Sequence, residues 1–241
     1  MDEKTRQFIA GREPFLAFLN GWVRGLPEIR LTDVVSDAGG PENVAIICID
    51  MTNCFTKFGR LSSPRIKALT QPIIDLFTLA HGLGIRTFML SQDAHPADSP
   101  EFKAYGEHCV EGTEGAQTIR ELMALPFSGL FEVVQKRALN PGVDERFMTW
   151  FGDHMNVKRF VVVGDCTDLC VYQVAMWLKI LANQFYYDYD VVVPADCVDT
   201  YDTSLDKARD LGILPHDAEL MHQLFLYHMA LNDIKIAGRI G

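Results

Sequence analysis

Short apolar runs and longer helical stripes alternate along most of this chain. Val44-Ala45-Ile46-Ile47-Cys48-Ile49, Ile85 to Leu90, Phe131 to Val134, Phe160 to Val163 and Tyr189 to Val193 are runs that are apolar at nearly every position. That pattern, without strict in-out alternation, predicts strands buried on both faces of a parallel sheet. Between the runs, Ile66, Leu69, Ile73, Ile74 and Phe77 recur with helical spacing over residues 64 to 83. Shorter helical patterns lie near 115 to 124 and 143 to 154, another begins at Cys170, and two more lie near 203 to 211 and 216 to 231. Ile234 to Ala237 is a candidate last short strand. Strands that alternate with helices predict an α/β protein: three layers, α/β/α, around a mainly parallel sheet of about six strands.

Ahead of the first strand, Phe8, Ile9, Phe15, Leu16, Phe18, Leu19 and Trp22 are spaced as an amphipathic helix interrupted at Pro14. Residues 36 to 42, SDAGGPE, read as a linker. The expected organisation is therefore an N-terminal helical extension and linker, residues 1–42, followed by one domain, residues 43–241.

In a parallel sheet the carboxyl ends of the strands share one edge, where open α/β sheets bind their ligands. Here that edge carries Asp50, Asp93, Lys136 and Cys170. Gly164 ends an apolar run, Asp165 to Leu169 form a polar turn, and Cys170 opens the next helical stripe. A thiol in the first turn of a helix meets free N–H groups and the positive end of the dipole, which lower its pKa. A lysine nearby does the same, and an aspartate takes and returns the proton. Alone, Cys170 would pass for a buried hydrophobe and Asp50 with Lys136 for a structural ion pair. Together at strand ends they favour a nucleophilic site. Asp93, His95 and His108 could supply one carboxylate and two imidazoles to a divalent metal, with Glu101 between them as a further candidate ligand. His154, His216, His222 and His228 fall in predicted helices or at their ends and read as structural or surface residues.

Composition narrows the classes. The net charge of -10 leaves no basic stripe for nucleic acid or an anionic membrane. No run approaches the roughly 18 apolar residues of a membrane span, and the N-terminus lacks a signal-type apolar core, so a cytoplasmic location is expected. The six cysteines, without a CxxC pair, then read as reduced thiols. No GxGxxG, GxSxG or P-loop pattern is present, and no organic cofactor is expected.

Several motifs resemble the isochorismatase-like cysteine hydrolase superfamily, which includes nicotinamidases. They are the strand ending at Asp50 and followed by Phe55, the SQDAHP stretch at Ser91 to Pro96, the HCVEGTEGA stretch at His108 to Ala116, Lys136, and GDCTDLCV at Gly164 to Val171. The resemblance covers about residues 43 to 200. It implies an isochorismatase-like hydrolase fold and a triad of Cys170 as nucleophile, Asp50 as proton acceptor and donor, and Lys136 as the cation favouring the thiolate. It also implies a cis peptide before Cys166, with the N–H groups of Cys166 and Cys170 as an oxyanion hole. By likeness to nicotinamidases, Asp93, His95 and His108, with Glu101, would hold a divalent metal, zinc first and manganese or iron as alternatives. Phe55 would stack on the substrate ring. Thr52 stands where nicotinamidases usually carry glutamine, and Ser99 where many carry a third histidine.

The expected activity is hydrolysis of a small amide through a thioester, nicotinamide to nicotinate and ammonia. The alternative is a metal-free relative acting on a carbamoyl or ureido compound or on isochorismate. A third reading, from another class, is a catalytically silent binding or thiol-sensing protein, since Cys54, Cys109 and Cys166 are expected near Cys170. The expected partner is a small-molecule amide. The superfamily also implies a homo-oligomer, with Phe15, Phe18 and Trp22 available for the contact.

Overall fold

The computed structural model describes residues 1–241. Its central sheet has six main strands: β1 (Val44–Ile49), β2 (Thr87–Asp93), β3 (Phe131–Lys136), β4 (Arg159–Asp165), β5 (Asp190–Pro194) and β6 (Lys235–Ala237). Their spatial order is β3-β2-β1-β4-β5-β6, and every pairing is parallel. A short strand, Val198–Asp199, adds to the end of β4 at Gly164 and Asp165. The strand order reverses between β1 and β4, which is where ligands bind in sheets of this kind.

Every residue of β1 is buried, and in β4 all but Arg159 are. Successive side chains point to opposite faces, so β1 feeds two separate apolar layers. Ile47, Phe160, Val162, Val174 and Leu178 belong to one layer, and Ile46, Phe77, Phe88, Val161 and Val163 to the other. Each fully buried aliphatic or aromatic side chain contributes about 1.5–3 kcal/mol. β3 lies at the edge and exposes Glu132 and Val133, which accounts for the charged residue inside its apolar run.

β1 and β4 approach so closely that a Cβ on Gly164 would lie 2.0 Å from the carbonyl oxygen of Ile49. Gly164 also has φ +107°, a backbone conformation that side chains rarely tolerate. Glycine is thus required where the strands deliver Asp50 and Cys170 to one place.

Several boundaries differ from the sequence reading. β2 runs on through Ser91, Gln92 and Asp93, all buried, because its pairing with Val134, Gln135 and Lys136 carries polar residues into the ladder. The helix expected over 64 to 83 is two, Pro64–Ala68 and Thr70–Gly82. The loop after Asp50 contains a buried helical turn, Asn53–Thr56. At the N-terminus the helices are Glu3–Ala10 and Glu13–Arg24, and Pro14 starts the second rather than breaking it. A helix, Leu31–Ala38, occupies part of the expected linker and buries Leu31, Val34 and Ala38 in the second apolar layer. Glu28–Ile29 pairs with Arg239–Ile240 as a separate two-stranded ribbon. No helix is long and apolar enough to cross a membrane.

Gly164→Ala should lower stability by about 3 kcal/mol or more, because a backbone oxygen rather than a movable side chain blocks the new methyl. Urea unfolding of the purified variant measures this. A midpoint equal to that of the parent would contradict so close an approach of β1 and β4.

Candidate active site

The ends of β1, β2 and β3 each deliver one charged group to the same point. The register places Asp93 directly beside Lys136, and Asp50 follows Ile49, which pairs with Ser91 of β2. Lys136, fully buried, donates a hydrogen bond to Asp93 Oδ1, and its Nζ lies 2.8 Å from Asp50 Oδ2. The second contact is an ion pair without good hydrogen-bond alignment, so Asp50 Oδ2 has no aligned donor. The other Asp50 oxygen accepts the backbone N–H of Asp93 at 2.7 Å. Asp50 adopts φ +55°, a left-handed conformation in which aspartate is among the best-tolerated residues.

Cys170 is the first residue of the helix Cys170–Phe185, and Lys136 Nζ lies 3.3 Å from its sulfur. Its N–H is one of the four at a helix start that lack an intrahelical acceptor. The Asp165–Cys166 peptide before this helix is cis, as the resemblance implies. Acceptor or donor atoms of Asp50, Asp93 and Cys170 all lie within 4.8 Å of one another.

The electrostatics divide these groups. Burial and the neighbouring Asp93 raise the Asp50 carboxyl to about 6, against the opposing pull of Lys136. Burial also pushes Asp93 up, but Lys136 and two imidazoles outweigh it and hold this carboxylate well below its usual range. Burial opposes the charge on Lys136, yet Asp50 and Asp93 outweigh it and keep the ammonium protonated. For Cys170 burial dominates and raises the thiol well above normal, with Lys136 only partly compensating. The sequence reading anticipated a lowered thiol pKa. Complete enclosure reverses that, so the sulfur rests as a thiol beside an acceptor carboxylate.

Next to this group, Asp93 Oδ2 lies 3.5 Å from His95 Nε2 and 3.6 Å from His108 Nε2. Two ligands about 2.0–2.1 Å from one tetrahedral ion stand roughly 3.3 Å apart, so the spacing suits a shared ion better than direct hydrogen bonds. His108 Nδ1 donates to the Gly106 carbonyl at 2.8 Å, which leaves Nε2 as the free lone pair. His95 Nε2 and Glu101 Oε1 are both buried without hydrogen-bond partners. The donor set of Asp93, His95 and His108, with Glu101 beside it, therefore fits a divalent metal.

Phe55 is buried 5.8 Å from the His108 ring, centroid to centroid. Asp50, Phe55, Asp93, Glu101, Cys166 and Cys170 line one inner pocket of about 20 Å3. All the residues singled out from the sequence for chemistry thus meet in one place.

Other participants escaped the sequence reading. Asp165, at the end of β4, is fully buried with one carboxyl oxygen unpartnered, and burial together with Asp50 raises its pKa well above normal. His222 is 2.9 Å from Thr167 Oγ1, and His216 Nε2 is 2.7 Å from Asp168 Oδ2. The two histidines therefore hold the turn that precedes Cys170. Nothing local in the sequence links either histidine to that turn, since the partners are 55 and 48 residues apart. Cys54 and Cys109 are joined as a disulfide with Cα atoms 5.7 Å apart, whereas all six cysteines were expected reduced; Cys48, Cys166, Cys170 and Cys197 are free.

Residues 44–214 match the isochorismatase domain, and the chain belongs to that family of hydrolases. Nicotinamidase 1 of Arabidopsis thaliana is 32% identical over 159 residues, 62% of this chain and 64% of that protein. The alignment thus spans less than two thirds of that relative's length. The fold is similar to an isochorismatase-like hydrolase from Alkaliphilus metalliredigens, 23% identical with a TM-score of 0.63 over 80% of this chain and 93% of that one. It is also similar to a pyrazinamidase/nicotinamidase from Streptococcus mutans, 20% identical, TM-score 0.63, covering 80% and 99%. A third similar fold is N-carbamoylsarcosine amidase from Thermoplasma acidophilum, 20% identical, TM-score 0.59, covering 81% and 95%.

Replacing Lys136 by methionine removes the cation between two buried carboxylates and should cost about 3–5 kcal/mol of stability. Lys136 lowers the Asp50 pKa, so its loss raises the folded-state value still further above the unfolded one. Such a group destabilises the fold increasingly as pH rises, so the deficit should be larger at pH 8 than at pH 5. Thermal unfolding at the two pH values reads both the size and the sign; a deficit independent of pH would contradict the network.

Proposed function

We propose that this protein is a metal-assisted cysteine amidohydrolase that cleaves a small amide, with nicotinamide the leading candidate substrate. The supporting observation is the shared ammonium: Lys136 holds Asp50, Asp93 and Cys170 together beside the Asp93, His95 and His108 donor set. Likeness to a protein named nicotinamidase supports the choice of substrate.

On this reading Cys170 Sγ attacks the amide carbonyl carbon and its proton passes to Asp50, whose Oδ2 has no aligned donor. The N–H groups of Cys166 and Cys170 receive the developing oxyanion, an interaction typically worth ~10²–10³ in rate. Asp50 then gives the proton to the departing nitrogen, the C–N bond breaks, and ammonia leaves an acyl thioester on Cys170. Water, deprotonated by Asp50, attacks the thioester, releasing the carboxylic acid and restoring the thiol. Lys136 keeps the sulfur's developing charge compensated throughout. Asp93, His95, His108 and Glu101 would hold a divalent metal, which when bound supplies a Lewis-acid anchor for a substrate nitrogen such as that of a pyridine. Phe55 packs against the ring.

The test is ammonia release from nicotinamide by the purified protein before and after chelation, with zinc or manganese restored, alongside Cys170→Ala. Release should vanish on chelation, return with metal, and fall about 10³-fold or more in the variant. Full activity in Cys170→Ala would sink the thioester route. His95→Ala should separately lower bound metal, measured by elemental analysis; unchanged metal content would remove His95 from the donor set.

A further inference from the structure

The inner pocket, with about 20 Å3, has room for little more than one water. It shares Leu61, Tyr105, Leu169 and Tyr201 with a much larger neighbouring cavity of about 740 Å3. A substrate that presents its reacting group to Cys170 therefore has space for the rest of its body in the outer chamber.

The two chambers differ in charge. Asp50, Asp93, Glu101 and Asp165 line the inner one. Arg60, Lys103 and Lys207 line the outer one. None of these three cations forms an ion pair, unlike nearby Arg65, which is held by Asp199 and Glu219. The outer chamber's one carboxylate, Asp168, bonds to His216 through Oδ2 at 2.7 Å, while its Oδ1 is buried without a partner. All three cationic side chains are exposed, and the stem of Arg60 passes beside Gly106, which has φ +77° and no side chain to obstruct it. Three unpaired cations around one cavity are conspicuous in a chain with a net charge of -10.

We propose that the outer chamber is an anion subsite: Arg60, Lys103 and Lys207 bind a carboxylate that the substrate carries on the side away from its scissile amide. This rests on Cys170 being the nucleophile of the inner pocket and extends that reading to the substrate class. Nicotinamide would present its amide to Cys170 and extend past the small inner pocket without a group for these cations. A carboxylate-bearing amide would use both chambers, and the acidic inner wall would repel its tail, so the molecule enters amide first. Fields of this kind raise encounter rates of oppositely charged ligands by about 10–10³-fold and weaken as salt screens them.

Alkylation of Cys170 by iodoacetate and by iodoacetamide isolates the effect, because the two reagents share their chemistry and differ in charge. Rates at Cys170 are read by peptide mass spectrometry in the parent and in the triple variant Arg60→Gln, Lys103→Gln, Lys207→Gln. The ratio of the iodoacetate to the iodoacetamide rate should fall about tenfold in the triple variant at low salt. In the parent the same ratio should fall as salt is added, which requires no variant to fold. A ratio unaffected by both the substitutions and salt, with Cys170 labelled by each reagent, overturns the anion subsite and leaves the nucleophile standing. If neither reagent labels Cys170 in a parent protein that releases ammonia from nicotinamide, the outer chamber is no route to the nucleophile and the subsite falls alone.

Discussion

One ammonium group organises the end of this sheet. Lys136 Nζ is shared between Asp50, Asp93 and Cys170, which come from two other strands and a helix. Two carboxylates in a sealed site repel, and neither can readily ionise without a cation between them. With Lys136 in place the pair is split: Asp93 is held firmly ionised, while Asp50 sits near 6. The same contact thus yields one permanent anion, suited to ligating a metal, and one carboxylate able to exchange protons near neutrality. Their different surroundings, not their residue type, separate the roles.

That arrangement depends on how tightly the chain delivers its parts. The parallel register sets Asp93 beside Lys136, and the missing side chain at Gly164 lets β4 bring Cys170 against β1. The turn before Cys170 is then fixed from a distance, with Thr167 and Asp168 bonded to His222 and His216 and the Thr167 N–H donating to the Asp199 carbonyl. Asp199 in turn meets Arg65. Rigid support of this sort keeps reacting groups within the small tolerance that covalent chemistry demands.

Much of this was legible in the sequence because it obeys local rules. Apolar runs at β1 and β4 predict doubly buried strands, and the position of Asp50 and Cys170 just after them follows from chain direction alone. What stayed hidden is non-local. Ser91 to Asp93 belong to β2 through pairing with β3, although no apolar pattern marks them. The engagement of His216 and His222 with the Cys170 turn needs the folded chain, since a lone helical histidine carries no sign of its partner. The thiol's raised pKa also escaped, because helix position and a nearby lysine are readable while the degree of enclosure is not. Residues 36 to 38 read as the start of a linker because SDAGGPE is polar and glycine-rich, yet they close the helix Leu31–Ala38, whose Leu31, Val34 and Ala38 pack into the core.

The ribbon of Glu28–Ile29 with Arg239–Ile240 joins segments separated by roughly 210 residues, and Leu31 N–H also bonds to the Gly241 carbonyl at 2.9 Å. During synthesis at about 5–20 residues per second, the early partner is made on the order of 10–40 s before the late one exists. The nascent chain must therefore carry Ile29 and Leu31 without their final neighbours while the sheet assembles. The clasp closes only after β6, whose Ala237 lies two residues before Arg239, has been made.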